Sequence, residues 1–285
     1  MALVSLLLSL LFAQEGPKPL PDQKTFLAEF RKTLHTDSLL LSQYTYTEKE
    51  TSISLNSNGT PKKTEVKVYQ ILRSADRELT YRRLISKNGV PVKQPELDKQ
   101  DKEHQKQVEK AQRRRSRKTP KELEEAAAKE RREDDRIIDD LFAGYDVRFL
   151  GRETIGGHPA IRIAFKPRSG YKPKTSEGKM MRHIAGEAWV SEDDHELARI
   201  DAEVVDAISF GLGVLAKLHK GARVSAERRK INNEVWLPAR VEASMSARVM
   251  LLKSLRFREI TEYSDHKKFN VETILSFPDL EKPEP

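Results

Sequence analysis

The chain contains no cysteine, which removes a disulfide framework, a thiol nucleophile, thiolate metal ligation and a lipid-attachment residue together. Glycine is sparse, 13 of 285 residues. Gly211, Gly213 and Ala216 form a GxGxxA string, but antiparallel strands surround it and Gly221 would break the helix that a dinucleotide loop must open. Beyond residues 2–13 no long hydrophobic run occurs, and that run is far short of the roughly twenty residues that span a bilayer. The 7 histidines show no metal-ligand spacing, since His195-Glu196 lacks a second histidine four residues after the first. No GxSxG elbow and no P-loop is present. We therefore expect no catalytic residue, no metal site and no cofactor.

What is present begins at the N-terminus. Residues 2–13 (ALVSLLLSLLFA) are apolar and uncharged, the length of a secretory signal core. The expectation is a signal peptide over 1–13, followed by a single domain over 14–285 that is exported, soluble and without a lipid anchor, in the periplasm or secreted. Charged residues make up 34% and hydrophobic residues 37% of the chain, and the imbalance is local. Residues 96–140 hold fourteen acidic and fourteen basic side chains, so the net charge of +8 arises elsewhere and weakly favours anionic partners such as phospholipid headgroups.

The strongest pattern lies at residues 235–249, where every odd residue is apolar: Val235, Leu237, Ala239, Val241, Ala243, Met245, Ala247 and Val249. Arg240, Glu242, Ser244 and Arg248 fall between them. This is the period of a half-buried strand, and at about 3.3 Å per residue it would run ~50 Å. Further extended segments are expected at 43–55, 64–72, 79–85, 145–151, 159–165, 184–191, 197–205, 222–230 and 255–269. Asn58-Gly59, Asn88-Gly89 and Gly156-Gly157 punctuate them as hairpin turns, and residues 191–196 as a polar turn. The short connections predict a meander of antiparallel strands. A helix is expected over 21–41, with Phe26, Leu27, Phe30 and Leu34 on one face. The fold class is thus α+β, an open antiparallel barrel or curved single sheet.

A one-sided apolar face also runs through Ala198, Ile200, Ala202 and Val204. With Val241, Ala243, Met245 and Ala247 these residues form the expected site for a hydrophobic or acylated ligand, because small side chains leave room above the sheet. An ordinary core under packed helices explains the same pattern. The charged stretch 95–142 reads as two helices. The first, over about 95–117, has only Val108 and Ala111 as apolar residues and is expected to project into solvent and be mobile. The second ends in the apolar patch Ile137, Ile138, Leu141 and Phe142. Arg113, Arg114 and Arg115 are candidate contacts to an anionic membrane surface or a partner, as are Phe210 and Leu212 in an apolar loop. Nucleic acid is not expected, since the basic run has acidic flanks and no interleaved aromatics.

The strand pair Ala188-Trp189-Val190, Ser191–Glu196, Leu197–Asp201, together with Val235-Trp236-Leu237-Pro238 entering the long strand, resembles the outer-membrane lipoprotein-sorting (LolA/LolB-like) superfamily over residues 22–94 and 143–270. That superfamily includes periplasmic lipoprotein carriers, related lipid-binding lipoproteins and the sensor half of an anti-sigma-factor regulator. The resemblance implies an unclosed antiparallel barrel whose helices plug a hydrophobic cavity for acyl chains. It implies a lipid or lipoprotein carrier or, in its regulatory members, an envelope interaction protein with no transported ligand. The insertion at 95–142 exceeds the short helical lid of a carrier, and no lid-latching residue can be matched to a position here.

Overall fold

The computed structural model describes residues 18–34, 38–74, 76–210, 215–249 and 253–268. The apolar run at 2–13 and Leu212 lie outside them. The chain opens with helices α1 (Gln23–Thr33) and α2 (Ser38–Ser42) and strands β1 (Tyr44–Leu55), β2 (Pro61–Leu72), β3 (Tyr81–Lys87) and β4 (Val90–Pro91). Two long helices follow, α3 (Gln94–Ser116) and α4 (Pro120–Gly144), then β5 (Tyr145–Ile155), β6 (His158–Pro167), α5 (Ser176–Met181), β7 (Ile184–Ser191) and β8 (Leu197–Val204). The remainder is β9 (Ile208–Phe210), β10 (Ala216–Leu218), β11 (Arg223–Ile231), β12 (Val235–Val249) and β13 (Lys253–Lys268).

These strands form one curved, open antiparallel sheet in the order β4-β3-β2-β1-β13-β12-β11-β8-β7-β6-β5, with the β9–β10 hairpin paired to the far end of β12. The sequence meander holds within each run. The joint between runs is the long-range pairing of β1 with β13, from Tyr44↔Lys268 to Ser54↔Phe257. The sheet is not closed between β4 and β5, and the hairpin α3–α4 carries the chain from one free edge to the other.

Two expectations are corrected. The single helix over 21–41 is two helices, the first ending at Thr33 and the second beginning at Ser38. Asp22 caps α1 by accepting from the Thr25 amide at 2.9 Å. The unbroken alternation along β12 is also interrupted. Glu227 pairs with Arg240 but Arg228 with Pro238, so Ala239 is an extra residue and side-chain alternation shifts by one across the bulge. Val235 and Leu237 therefore lie on the other side of the sheet from Val241 and Ala243, and Val235, Trp236 and Leu237 are all buried.

Helix α3 also departs from expectation. It carries no buried residue, yet its first turns dock on β3 through polar groups. The Tyr81 hydroxyl donates to Asp101 Oδ1 at 2.6 Å, and Arg83 holds both Asp101 oxygens at 2.9 and 2.8 Å. Gln100 exchanges hydrogen bonds with the Leu84 amide and carbonyl at 2.9 and 3.1 Å, and His104 stacks on Tyr81 with ring centroids 4.2 Å apart. In place of an apolar stripe, a side-chain clamp holds the helix. Only the far part of α3 projects.

The acidic turn after β7 is an anchor. Glu192 pairs with Arg152 at 2.6 Å and Lys18 at 3.1 Å. Asp194 accepts from the Trp236 indole at 3.0 Å and pairs with Lys230 at 2.8 Å, and Glu196 meets Arg228 at 3.1 Å. His195 adopts a positive φ of 57°. Its carbonyl accepts from Thr33 at 2.8 Å and its ring lies 4.8 Å from that of Phe26. One turn thus ties α1, β5, β11 and β12 together. Burial opposes the charge on Asp194, but the Lys230, Ser191 and Trp236 side chains and the Glu196 amide outweigh it and bring its pKa to about 2.

Two outcomes follow from these anchors. Because the folded pKa of Asp194 is below its ordinary value of 3.8, its contribution is complete at neutral pH and is lost as pH falls from about 4 to about 2. Asp194→Asn should destabilise the protein by about 2 kcal/mol at pH 7, and urea midpoints of variant and parent should converge toward pH 2. Asp101→Ala leaves Arg83 and Tyr81 unpaired at partly buried positions and should cost about 2–3 kcal/mol in urea unfolding; no loss would mean that α3 does not rely on this clamp.

Candidate binding face

Register assigns the residues that share a side of the sheet. One row runs Ile163, Ala188, Ile200, Ala226, Val241 and then Thr261, Glu50, Lys67. The next runs Phe165, Gly186, Ala202, Val224, Ala243 and then Glu259, Ser52, Glu65. The face is apolar from β6 to β12 and turns polar at β13. The apolar face therefore stops at the long strand β12, and the next strand, β13, is polar.

Two covers sit on this face. Helix α1 places Phe26, 3% exposed, against Ile161, Ile163 and Val190, with Leu27, Phe30, Phe149 and Leu197 around it. Phe30 in turn meets Phe142 of α4 with centroids 6.0 Å apart, so the apolar end of α4 docks on the helix rather than on bare sheet. At the other end Ile208 and Ala222 pack with Val204, and Leu218 and Met245 join them. Val204 and Met245 are thus core under the β9–β10 hairpin, and Ala247 pairs with Leu218 of β10.

Between the covers lies a strip of Ile200, Ala202, Val224, Ala226, Val241 and Ala243. Ala202 is buried, Val224 is 39% exposed and the others are half-buried. Gly186 makes the strip tight at β7–β8. A Cβ there would sit 2.1 Å from the Asp201 carbonyl oxygen, so any side chain would push the two strands apart. Val224 and Ala226 were missed in the sequence because β11 reads as a charged strand (RVSAERRKI), and its short apolar pair acquires meaning only from its neighbours' register.

The opposite face is wet. Arg162 pairs with Glu187 at 2.7 Å, Arg199 with Asp201 at 2.7 Å and Arg258 with Glu242 at 2.6 Å. Arg162 and Arg199 lie 5.6 and 4.9 Å from the centroid of the Trp189 ring. An open depression of ≈510 Å³ on this side is lined by Glu187, Asp201, Glu203, Arg223, Ser225 and Glu242, carboxylates already met by arginines or hydroxyls. Among the described residues no group of three or more His, Asp or Glu side chains is disposed to hold a metal, and no helix is long and apolar enough to cross a membrane.

Away from the sheet, buried Asp140 of α4 accepts from Tyr171, from the Lys174 and Thr175 amides and from the Thr175 hydroxyl at 2.6–3.0 Å. Burial opposes its charge, yet these donors hold its carboxyl well below the usual range and fasten α4 to α5. The candidate contacts are scattered. Arg113, Arg114 and Arg115 are exposed near the far end of α3, and Phe210 ends β9 at the rim. Ala216 begins β10, paired antiparallel with β9; Gly211 and Gly213 of the GxGxxA string lie outside the described residues.

No known protein family matches the sequence, and no curated protein matches it. Solved structures are similar to it. One is a putative outer-membrane lipoprotein-sorting protein domain from Vibrio parahaemolyticus, with 8% identity, a TM-score of 0.33 and coverage of 85% of this chain and 90% of that one. A LolA-superfamily protein from Nitrosomonas europaea has 8% identity, a TM-score of 0.26 and coverage of 88% and 96%. A chain of the MucA/MucB complex of Pseudomonas aeruginosa has 11% identity, a TM-score of 0.22 and coverage of 86% and 98%. The likeness is one of fold.

The cover supplied by α1 is testable alone. Phe26→Ala should cost about 3–5 kcal/mol and bare Ile161, Ile163 and Val190, read as a lower thermal midpoint with increased binding of an apolar dye to the folded state.

Proposed function

We propose that this protein is a non-enzymatic binder or carrier of an acylated or otherwise hydrophobic ligand, acting in the periplasm or outside the cell. The observation that carries this reading is the half-exposed strip of small apolar side chains between α1 and the β9–β10 hairpin. Val224 in particular is 39% exposed although it sits between buried Ala202 and half-buried Ala243. An acyl chain laid along Ile200, Ala202, Val224, Val241 and Ala243 would gain about 0.8 kcal/mol per buried methylene. The strip ends at Thr261 and Glu259, which would keep a polar head at its margin. Alanine and glycine at 186, 202, 226 and 243 leave the necessary depth.

A second reading has its own support. Because Val204 and Met245 are already covered, the open strip is short, which suits an apolar segment of a partner protein in an envelope regulatory role as well as a transported lipid. One experiment separates them. Native mass spectrometry of the purified protein, with titration of a fluorescent fatty acid, should detect bound lipid and saturable uptake. Ala243→Arg, which sets an unpaired charge on the strip, should abolish uptake while circular dichroism reports an intact sheet. A lipid-free preparation that takes up no fatty acid would remove the carrier reading and leave the partner-binding one.

A further inference from the structure

We propose that α3 is an electrostatic docking rail that lays the protein on an anionic phospholipid surface. This inference stands on α3 alone and does not depend on what the sheet binds. Counting about 100° per residue around the helix, Leu97, Asp101, His104, Val108 and Ala111 share one side. They are the half-buried residues of α3 together with Gln100, and Asp101 and His104 face β3 directly. The opposite line holds Lys99, Lys102, Lys106, Lys110, Arg113 and Arg117, all exposed.

The six cations recur every three or four residues along about 27 Å of helix. The basic run at 113–118 divides in three dimensions. Arg113 and Arg117 continue the line, Arg114 flanks it, and Arg115 turns toward the side of α3 that faces β3. Lys106, Lys110, Arg113, Arg114 and Arg117, with Glu109, rim one open depression of ≈340 Å³, so five cationic heads and one carboxylate share a common surface. Part of this charge also complements the helix C-terminus. That effect reaches only the last turn and gives no reason for Lys99, Lys102 or Lys106.

Geometry selects the partner. Glu103 borders the line on one side and Glu109 on the other, where it meets Arg113 at 3.9 Å, with Asp98 beyond. A partner that wraps the helix, such as a nucleic-acid groove, meets these carboxylates. A flat partner touches only the outermost row. No aromatic or aliphatic side chain lies in that row, so the contact is adsorption on headgroups rather than insertion into acyl chains. Because β3 anchors the other side of α3, adsorption fixes the orientation of the whole sheet.

The test uses the purified chain and vesicles of phosphatidylcholine with or without 30 mol% phosphatidylglycerol, read by cosedimentation. Binding should require phosphatidylglycerol and weaken strongly between 0.1 M and 0.5 M salt. The triple variant Lys106→Glu, Lys110→Glu, Arg113→Glu should lose about a hundredfold in partitioning. A control with Lys121→Glu, Lys129→Glu and Arg136→Glu on α4 alters charge equally off the line and should bind as the parent does. Thermal melts confirm that both variants fold. Absence of binding, equal losses in the two variants, or preference for a 20-base-pair duplex DNA competitor over the vesicles would each overturn the proposal.

Discussion

The pairing of β1 with β13 is the constraint on which the remaining architecture depends. It joins the first strand of the domain to the last across more than two hundred residues of sequence, from Tyr44↔Lys268 to Ser54↔Phe257. The closure entropy of so long a loop rises only slowly with length, and the ladder that rewards it is continuous over most of both strands. Non-local pairing of this kind forms late and slowly. Once made, it converts two local meanders into one sheet. It leaves β4 and β5 as the free edges and obliges α3–α4 to bridge them.

The same pairing decides the chemistry of the sheet. Apolar rows built on β6, β7, β8, β11 and β12 are continued onto β13, β1 and β2 by Thr261, Glu259, Glu50 and Lys67. One face thereby acquires a greasy half under α1 and a polar half beside it. The reverse face carries a ladder of exposed arginine–carboxylate pairs, each of which contributes little in water. Stability rests instead on the small buried clusters around Phe26, around Tyr44 with Leu237, and around Val204, and the acidic turn after β7 ties α1, beside the first, to β12, which carries the second. That division leaves the central strip half-exposed.

The charged hairpin obeys a different rule. A helix without an apolar stripe cannot gain its order from hydrophobic burial, and α3 is held by Asp101, Gln100 and His104 against Arg83, Leu84 and Tyr81. A polar clamp of this sort leaves no periodic trace. Its members are common surface residues whose partners lie on another element, so neither the docking nor the division of α3 into a docked side and a cationic side was legible beforehand.

Much of the fold was written locally. The odd-numbered alternation of 241–247, the Asn-Gly turns and the charged helices each follow from short-range periods and backbone preferences, and the open antiparallel sheet follows from them in turn. Part of the candidate face was equally visible, since Ile200, Ala202, Val241 and Ala243 declare their side through their own strands. What the tertiary structure alone decided are the matters of register and proximity. Ala239 becomes a bulge only because β11 pairs as it does, Val204 and Met245 become core only because the β9–β10 hairpin folds over them, and Val224 joins the strip only between Ala202 and Ala243. Side-chain period is a property of one strand, whereas which periods align, and which side chains are left uncovered, is set by contacts between residues that the sequence holds far apart.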